Sequence, residues 1–496
     1  MRTKNLIIVL LLFNAVLIGQ SQVQDLIQQG LDQAYNMELN SAEKTFNKVL
    51  ELRPNSPLGY YRIAQIHFWI YLGSRDPGEY QVFLKFADMA QERAEKVIDK
   101  NPKDYQTKYI AGNLASFRAM AQATNNSSVD AFWSSKKAVN YYEETLQLNP
   151  KFYNAYLGLG LFDYAMSFVP DFLKWAVNLT GLSSDKKRGF NYIKTAFRKG
   201  TEKTEAAFHL SKIYTDYLAE YDSAFIFLQS LSSRYPNNAL FIYQYAVSLI
   251  KDKQLDRAND MLNRVINLHN KKLPQITALS YYRKGEIYFK KNKFKTAIKN
   301  YEKFLDTSKE LDFIGLATLN TALCYKLNGQ EEEFQQYLQQ AKGGNQDIFE
   351  DSYAKQKSDK YLSSGITTIE LKLIRLKNDL DAGKYKIVYD SLRTDVEKID
   401  SREDKAVAYV LLSEAALNLK KYSEAIHFAH QIESIKVDSE KYTEVMALLL
   451  KAEAKYFSGN REDIKNILEN AEDNNDFEFK DYIQSRIEWL KRRLGK

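Results

Sequence analysis

One spacing recurs along this chain and constrains its fold more than any other feature. A small residue is followed by an apolar or aromatic one at +4, by a third position at +7, and by proline at +12. It occurs as Ala42, Phe46, Val49, Pro54 and as Ala90, Ala94, Val97, Pro102. It returns as Ala138, Tyr142, Thr145, Pro150 and as Ala224, Leu228, Leu231, Pro236. Steps of four and three residues put side chains on one face of a helix. Proline five residues later cannot continue that helix and marks its end. Four of the 8 prolines sit at this one phase, each beside an asparagine (Asn55, Asn101, Asn149, Asn237), which is turn chemistry between helices. Only 20 glycines and 8 prolines in 496 residues disfavour a many-stranded β fold.

A second helical pattern lies upstream of each small residue. Tyr281, Gly285 and Tyr288 share a face twelve residues ahead of Ala297, Tyr301 and Phe304. The same twelve-residue pairing of small residues occurs at Gly30/Ala42, Ala246/Ala258 and Ser413/Ala425. Gly285 and Ala297 are expected to meet where two helices cross. Lys291–Lys293, Asn328-Gly329 and Gly459-Asn460 supply turns inside the hairpins. This resembles the tetratricopeptide repeat, a 34-residue helical hairpin. The resemblance covers about 11 units from roughly Asp25 to Ala471 and implies an all-α, right-handed superhelical solenoid. Lys212 and Phe334 depart from it, standing where the small residues paired with Ala224 and Ala322 belong.

The domain organisation follows from where the pattern starts, pauses and stops. Arg2 and Lys4 precede an apolar run from Leu6 to Ile18, then Gly19-Gln20-Ser21-Gln22. That order is a secretory signal peptide, 1–21, too short to span a bilayer as a helix. It predicts an exported protein, periplasmic, outer-membrane-associated or secreted, with the leader cleaved or kept as an anchor. An N-terminal array, 22–345, would lead to a linker or irregular repeat at 346–366. A C-terminal array, 367–496, would end in a capping helix around Phe477–Leu494. The single cysteine, Cys324, excludes a disulfide framework within the chain and reads as a core residue.

Catalytic motifs are sought and not found. There is no GxxxxGK[ST], HExxH, GxSxG or Cys-x-x-Cys. Gly158-Leu159-Gly160 lacks a preceding strand and a third glycine, so it reads as close helix packing rather than a dinucleotide loop. The S-x-x-K matches at Ser134–Lys137 and Ser183–Lys186 lack companion motifs. Glu424, His427, His430 and Glu433 follow at three-residue steps, but a carboxylate-bridged metal site needs a second such helix. They read as a solvated face. No cofactor and no metal are expected.

Two segments carry what functional signal there is. Phe168–Leu182 is an apolar insertion bracketed by Pro170 and Gly181, readable as a gap-filling plug or as a lip for a membrane or partner. The run from Gly158 to Gly189, with Gly181, Asp185 and Arg188-Gly189, is similar to a segment of the eukaryotic inclusion-body-clearance repeat family, which implies a shared structural insertion. Lys271–Lys303 holds ten Lys or Arg against two Glu, a charge of +8 where the whole chain carries +7. The expected function is non-catalytic binding of a protein or peptide, acidic in character, and not nucleic acid. By the repeat resemblance, the concave groove would present His209, Tyr243, Lys251, Tyr282 and Lys290. The alternative is a membrane-associated envelope-assembly factor whose lip is Phe168, Phe172, Trp175 and Leu179.

Overall fold

The structure, a computed structural model, describes residues 21–167, 185–308, 312–477 and 480–495. The leader up to residue 20 and the lip residues Phe168, Phe172, Trp175 and Leu179 lie outside the described residues. The helices run in order as α1 (21–35), α2 (Leu39–Leu52), α3 (Pro57–Ser74), α4 (Pro77–Lys100), α5 (Tyr105–Thr124), α6 (Ser128–Leu148), α7 (Ala155–Met166) and α8 (Lys186–Lys199). They continue as α9 (Lys203–Asp216), α10 (Tyr221–Arg234), α11 (Ala239–Lys251), α12 (Leu255–Asn267), α13 (Pro274–Lys290), α14 (Phe294–Thr307), α15 (Ile314–Leu327) and α16 (Glu331–Gln340). The remainder are α17 (Phe349–Ser364), α18 (Thr368–Asp381), α19 (Tyr385–Leu392), α20 (Arg402–Asn418), α21 (Tyr422–Glu433), α22 (Tyr442–Phe457), α23 (Ile464–Asp473) and α24 (Lys480–Leu494). No strand occurs among the described residues. The fold is all-α, a succession of helical hairpins.

The punctuation of the sequence is visible helix by helix. α2, α4, α6 and α10 each end two residues before their proline. Inside the hairpins a left-handed residue reverses the chain: Asn292 (φ 56°), Gly329 (φ 77°), Gly383 (φ 76°), and also Lys253 (φ 61°) and Lys420 (φ 61°). The small residues Ala42, Ala90, Ala224, Ala258, Ala297 and Ala425 are all fully buried. Ser413 Oγ donates to the Ala425 carbonyl at 2.8 Å, so that twelve-apart pair is in contact. At the paired glycines Gly285 and Gly30 an aromatic ring is the nearest neighbour. A Cβ at Gly285 would meet first the Tyr301 ring, at 2.5 Å, and one at Gly30 the Phe46 ring, at 2.3 Å. These glycines admit the aromatic four residues beyond the paired alanine.

Two compact units form: residues 1–210 with 227–241 and 270–274, and residues 211–226 and 242–269 with 275–496. The first unit bends back on its own start. Tyr235 donates to Asp32 at 2.9 Å, Arg234 pairs with Asp32 at 3.3 Å, and Asn238 Nδ2 donates to the Tyr35 carbonyl at 2.6 Å. In the same unit α7 and α8 touch backbone to backbone. A Cβ on Gly160 would lie 2.7 Å from the Gly189 carbonyl oxygen, and one on Gly189 2.8 Å from that of Gly160. Arg188 grips the buried Asp163 beside this contact with two bonds, 2.6 and 2.7 Å. The Gly158–Gly160 pair is thus a packing feature.

In the second unit the stretch 346–366, expected as a linker or irregular repeat, carries α17. Its fully buried Asp351 accepts the Leu316 and Asn345 amides, each at 2.9 Å, capping the start of α15. Burial pushes that carboxyl up to about 6. Thr367 and Glu370 form a reciprocal capping box at the start of α18. α24 lays Ile483, Ile487 and Leu490, all fully buried, on the hairpin before it.

Candidate functional site

The polar residues that converge inside each unit come from helices far apart in sequence. In the first unit, α1 contributes Tyr35, α3 contributes Tyr61, Arg62 and Gln65, α5 contributes Tyr109 and Asn113, and the start of α9 contributes Glu202 and Glu205. Arg62 is buried, donates to Gln65 at 2.7 Å and faces Glu202 at 3.6 Å. Tyr109 donates to the other Glu202 oxygen. Asn113 donates to the Tyr61 hydroxyl at 2.7 Å and accepts from Tyr142 at 2.8 Å. Glu202 thus takes the guanidinium, and Glu205 is buried beside it. Burial, then the Glu202 charge, push Glu205 up to about 7, against the pull of Tyr35 and Arg62. Glu205 Oε2 and Arg62 Nε are buried without a hydrogen-bond partner.

The second unit carries a longer charge ladder. Arg486 of α24 forks onto Glu453 at 3.0 and 2.5 Å, reaches Glu414 at 3.4 Å and donates to Tyr482 at 2.8 Å. Lys253 lies 3.6 Å from Glu414. Arg283 and Lys290 both pair with Glu286 at 2.8 Å. Burial opposes the charge on Glu286, but Lys290 and Arg283 outweigh it and hold its carboxyl down at about 2. Lys212 and Lys251 share Asp216 at 3.3 and 2.8 Å. Arg492 and Arg493 reach Glu220 at 3.4 and 3.7 Å.

Against this geometry, the residues assigned to a groove are engaged by the chain itself. His209 belongs to the first unit, half-buried, its ring 5.7 Å from Phe208. The other four belong to the second unit. Tyr243 accepts from Arg283 at 3.5 Å. Lys251 is tied to Asp216 and Lys290 to Glu286. Tyr282 is 3% exposed, packed between Tyr301, Phe304 and Phe313 at 5.1–6.1 Å. The helix face on which it sits is covered by the start of the following hairpin, so its ring belongs to the core.

The histidine cluster also disperses. Tyr389 donates to Glu424, while His430 and Lys451 both engage Glu433, at 3.1 and 2.9 Å. Among the described residues no three His, Cys, Asp or Glu side chains form a metal-holding group, and no helix is long and apolar enough to cross a membrane. Sequence reasoning missed Arg62, Glu202, Glu205, Glu414, Glu453 and Arg486. None sits in a motif, and the ion pairs among them join residues 33 to 140 positions apart.

Several solved structures are similar to this chain. YrrB, a TPR protein with an unusual peptide-binding site, is 19% identical over 44% of this chain and 93% of its own, with a TM-score of 0.31. The TPR domain of P58(IPK) is 13% identical over 95% and 98%, with a TM-score of 0.21. Yeast Tom70 is 12% identical over 96% and 97%, with a TM-score of 0.24. No curated protein matches the chain. The pattern of the Iml2/Tetratricopeptide repeat protein 39 family matches residues 80–369, which is 290 of the 496 residues and takes in the α7–α8 hairpin with its Gly160–Gly189 contact. The chain belongs to the Iml2/Tetratricopeptide repeat protein 39 family.

Proposed function

We propose that the protein is a non-catalytic scaffold that binds a protein partner, and that it works after export. The observation that carries the reading is the mutual engagement of the interior polar groups. Arg62 is spent on Glu202 and Gln65, Arg486 on Glu453 and Glu414, and Lys290 on Glu286. Such groups organise the hairpins and leave the outer helix faces to meet a partner. Membership of a repeat family built from stacked hairpins supports the same reading, since such arrays present large surfaces for protein recognition. The leader pattern at Arg2–Ser21 supports export.

Photo-crosslinkers at the exposed positions Ile226 and Ile387 (71% and 50% exposed) test the scaffold reading in the native host. One recurring protein adduct, reconstituted as a stoichiometric complex from purified components, is the expected result. The absence of any such complex overturns it. N-terminal sequencing tests export separately: the exported chain is expected to begin near Gln22, and Met1 retained in that form removes the leader from the reading.

A further inference from the structure

The strong positive charge of Lys271–Lys303 does not distribute evenly once the chain is folded. Lys272 pairs with Glu79, Arg283 and Lys290 with Glu286, and Lys291 with Asp256. Lys295, Lys299 and Lys303 are all exposed, and no carboxylate among the described residues lies within ion-pair distance of them. They stand at i, i+4 and i+8 on α14, one row about 12 Å long at ~1.5 Å per residue. Lys284, from α13, belongs to the same strip. It donates to Asn263 at 2.6 Å, and burial followed by the nearby Lys303 charge lowers its pKa. The one acid within the row, Glu302, accepts the Tyr325 and Tyr337 hydroxyls at 2.9 and 3.1 Å and is held by α15 and α16. Asp306, a turn further on, is exposed and forms no ion pair with the row.

This arrangement works against the helix that carries it. Like charges four residues apart repel. Lys295 also stands in the first turn, where the helix dipole disfavours a cation, and no acidic residue sits in that turn. The row therefore has the features of a surface left open for an external anion. We propose that the Lys295–Lys299–Lys303 row, with Lys284 beside it, docks an acidic α-helical segment of a partner protein, its carboxylates repeating at i, i+4 and i+8. The charge spacing matches a second helix of the same rise. A lipid surface fits less well, because peripheral membrane contact needs an apolar face to bury. Among the described residues the large exposed apolar side chains, Val129, Trp133, Ile226 and Phe457 included, all lie on other helices. The inference rests on the scaffold reading and names a partner chemistry for it.

The test uses the full chain and a fluorescent synthetic helix of about 16 residues with Glu at i, i+4 and i+8. A scrambled peptide of the same composition and phosphatidylserine vesicles serve as the other probes. The register-matched peptide is expected to bind at about 0.05 M salt and to lose affinity steeply by about 0.5 M. The triple variant Lys295→Gln/Lys299→Gln/Lys303→Gln is expected to weaken it about tenfold or more, while Lys44→Gln/Lys48→Gln on α2 leaves it unchanged. Far-ultraviolet circular dichroism checks the fold, and Lys299→Gln alone carries the test if the triple variant misfolds. Equal binding of the scrambled peptide, wild-type affinity in the triple variant, or binding to vesicles in place of peptide each overturns the lysine-row assignment. The crosslinking experiment on the scaffold reading is independent of all three.

Discussion

Glu205 condenses the physics of the first unit into one carboxyl group. Its folded pKa, about 7, stands above the ordinary value of 4.5, so the folded state holds this proton more tightly than the unfolded chain does. Its contribution to stability is fully present below pH 4.5 and is lost as the pH rises through about 7. Thermal melts are expected to fall between about pH 5 and about pH 8, by on the order of 1–3 kcal/mol. Glu205→Gln, which mimics the protonated form, is expected to flatten that decline, and an unchanged slope in the variant would refute the assignment. Tyr282→Ala is expected to destabilise the protein by about 3 kcal/mol through the cavity it opens, because the ring is core rather than groove. A denaturant titration reads this directly. Gly160→Ala forces a methyl against the Gly189 carbonyl oxygen and is expected to cost about 1–3 kcal/mol by overpacking. In the stretch that carries the histidines, Ala425 and Ala429 are fully buried, and Lys451 pairs with Glu433.

At the scale of the element, helix ends and hairpin turns follow local rules that single residues report. Proline stops α2, α4, α6 and α10, and left-handed residues turn the hairpins. Lys420 adopts that left-handed conformation without being glycine. Lys420→Gly is expected to raise stability by up to about 1 kcal/mol by removing the Cβ strain. Such strain is invisible in the residue type and appears only in the backbone angle. α24 illustrates a different dependence. Its amphipathic pattern made it readable as a cap, but the role of Arg486 depends on Glu414 and Glu453, contributed by α20 and α22. Arg486→Met leaves both carboxylates buried with less compensation and is expected to cost on the order of 3 kcal/mol. Adding Glu453→Leu is expected to recover part of that loss, and a double-mutant cycle measures the coupling.

On the scale of the whole molecule, neither unit is continuous in sequence. The second takes in 211–226 and 242–269 as well as 275–496, and it passes straight through the stretch 346–366. A chain ending at residue 345 would keep Lys253, Lys290 and Glu220. It would lose Glu414, Asp381, Arg492 and Arg493, which stand opposite them. Such a truncation is expected to melt in two steps, the lower one belonging to the incomplete second unit. A single cooperative melt at the full-length temperature would refute that. The apparent boundary in the sequence reflects a weakened repeat pattern, since α17 is held to α15 by the Asp351 cap rather than by the repeat's small residues.

Local chemistry is why the class of fold could be read from the chain alone. Helical periodicity, prolines at one phase and small residues twelve apart act over a few residues, so the sequence by itself determined the all-α hairpins and their turns. The same local logic marked Gly158–Gly160 as packing, because a missing Cβ is written in the residue itself. Which polar groups meet was decided only by the tertiary structure. Glu202 faces Arg62 across 140 residues, and Arg486 faces Glu414 across 72. The reassignment of Tyr282 to the core, the engagement of Lys251 and Lys290 by acids of the chain itself, and the lack of an acid partner for Lys295, Lys299 and Lys303 among the described residues have one cause. A charge or a ring acquires its role from its neighbours, and in a stacked array most neighbours come from another hairpin.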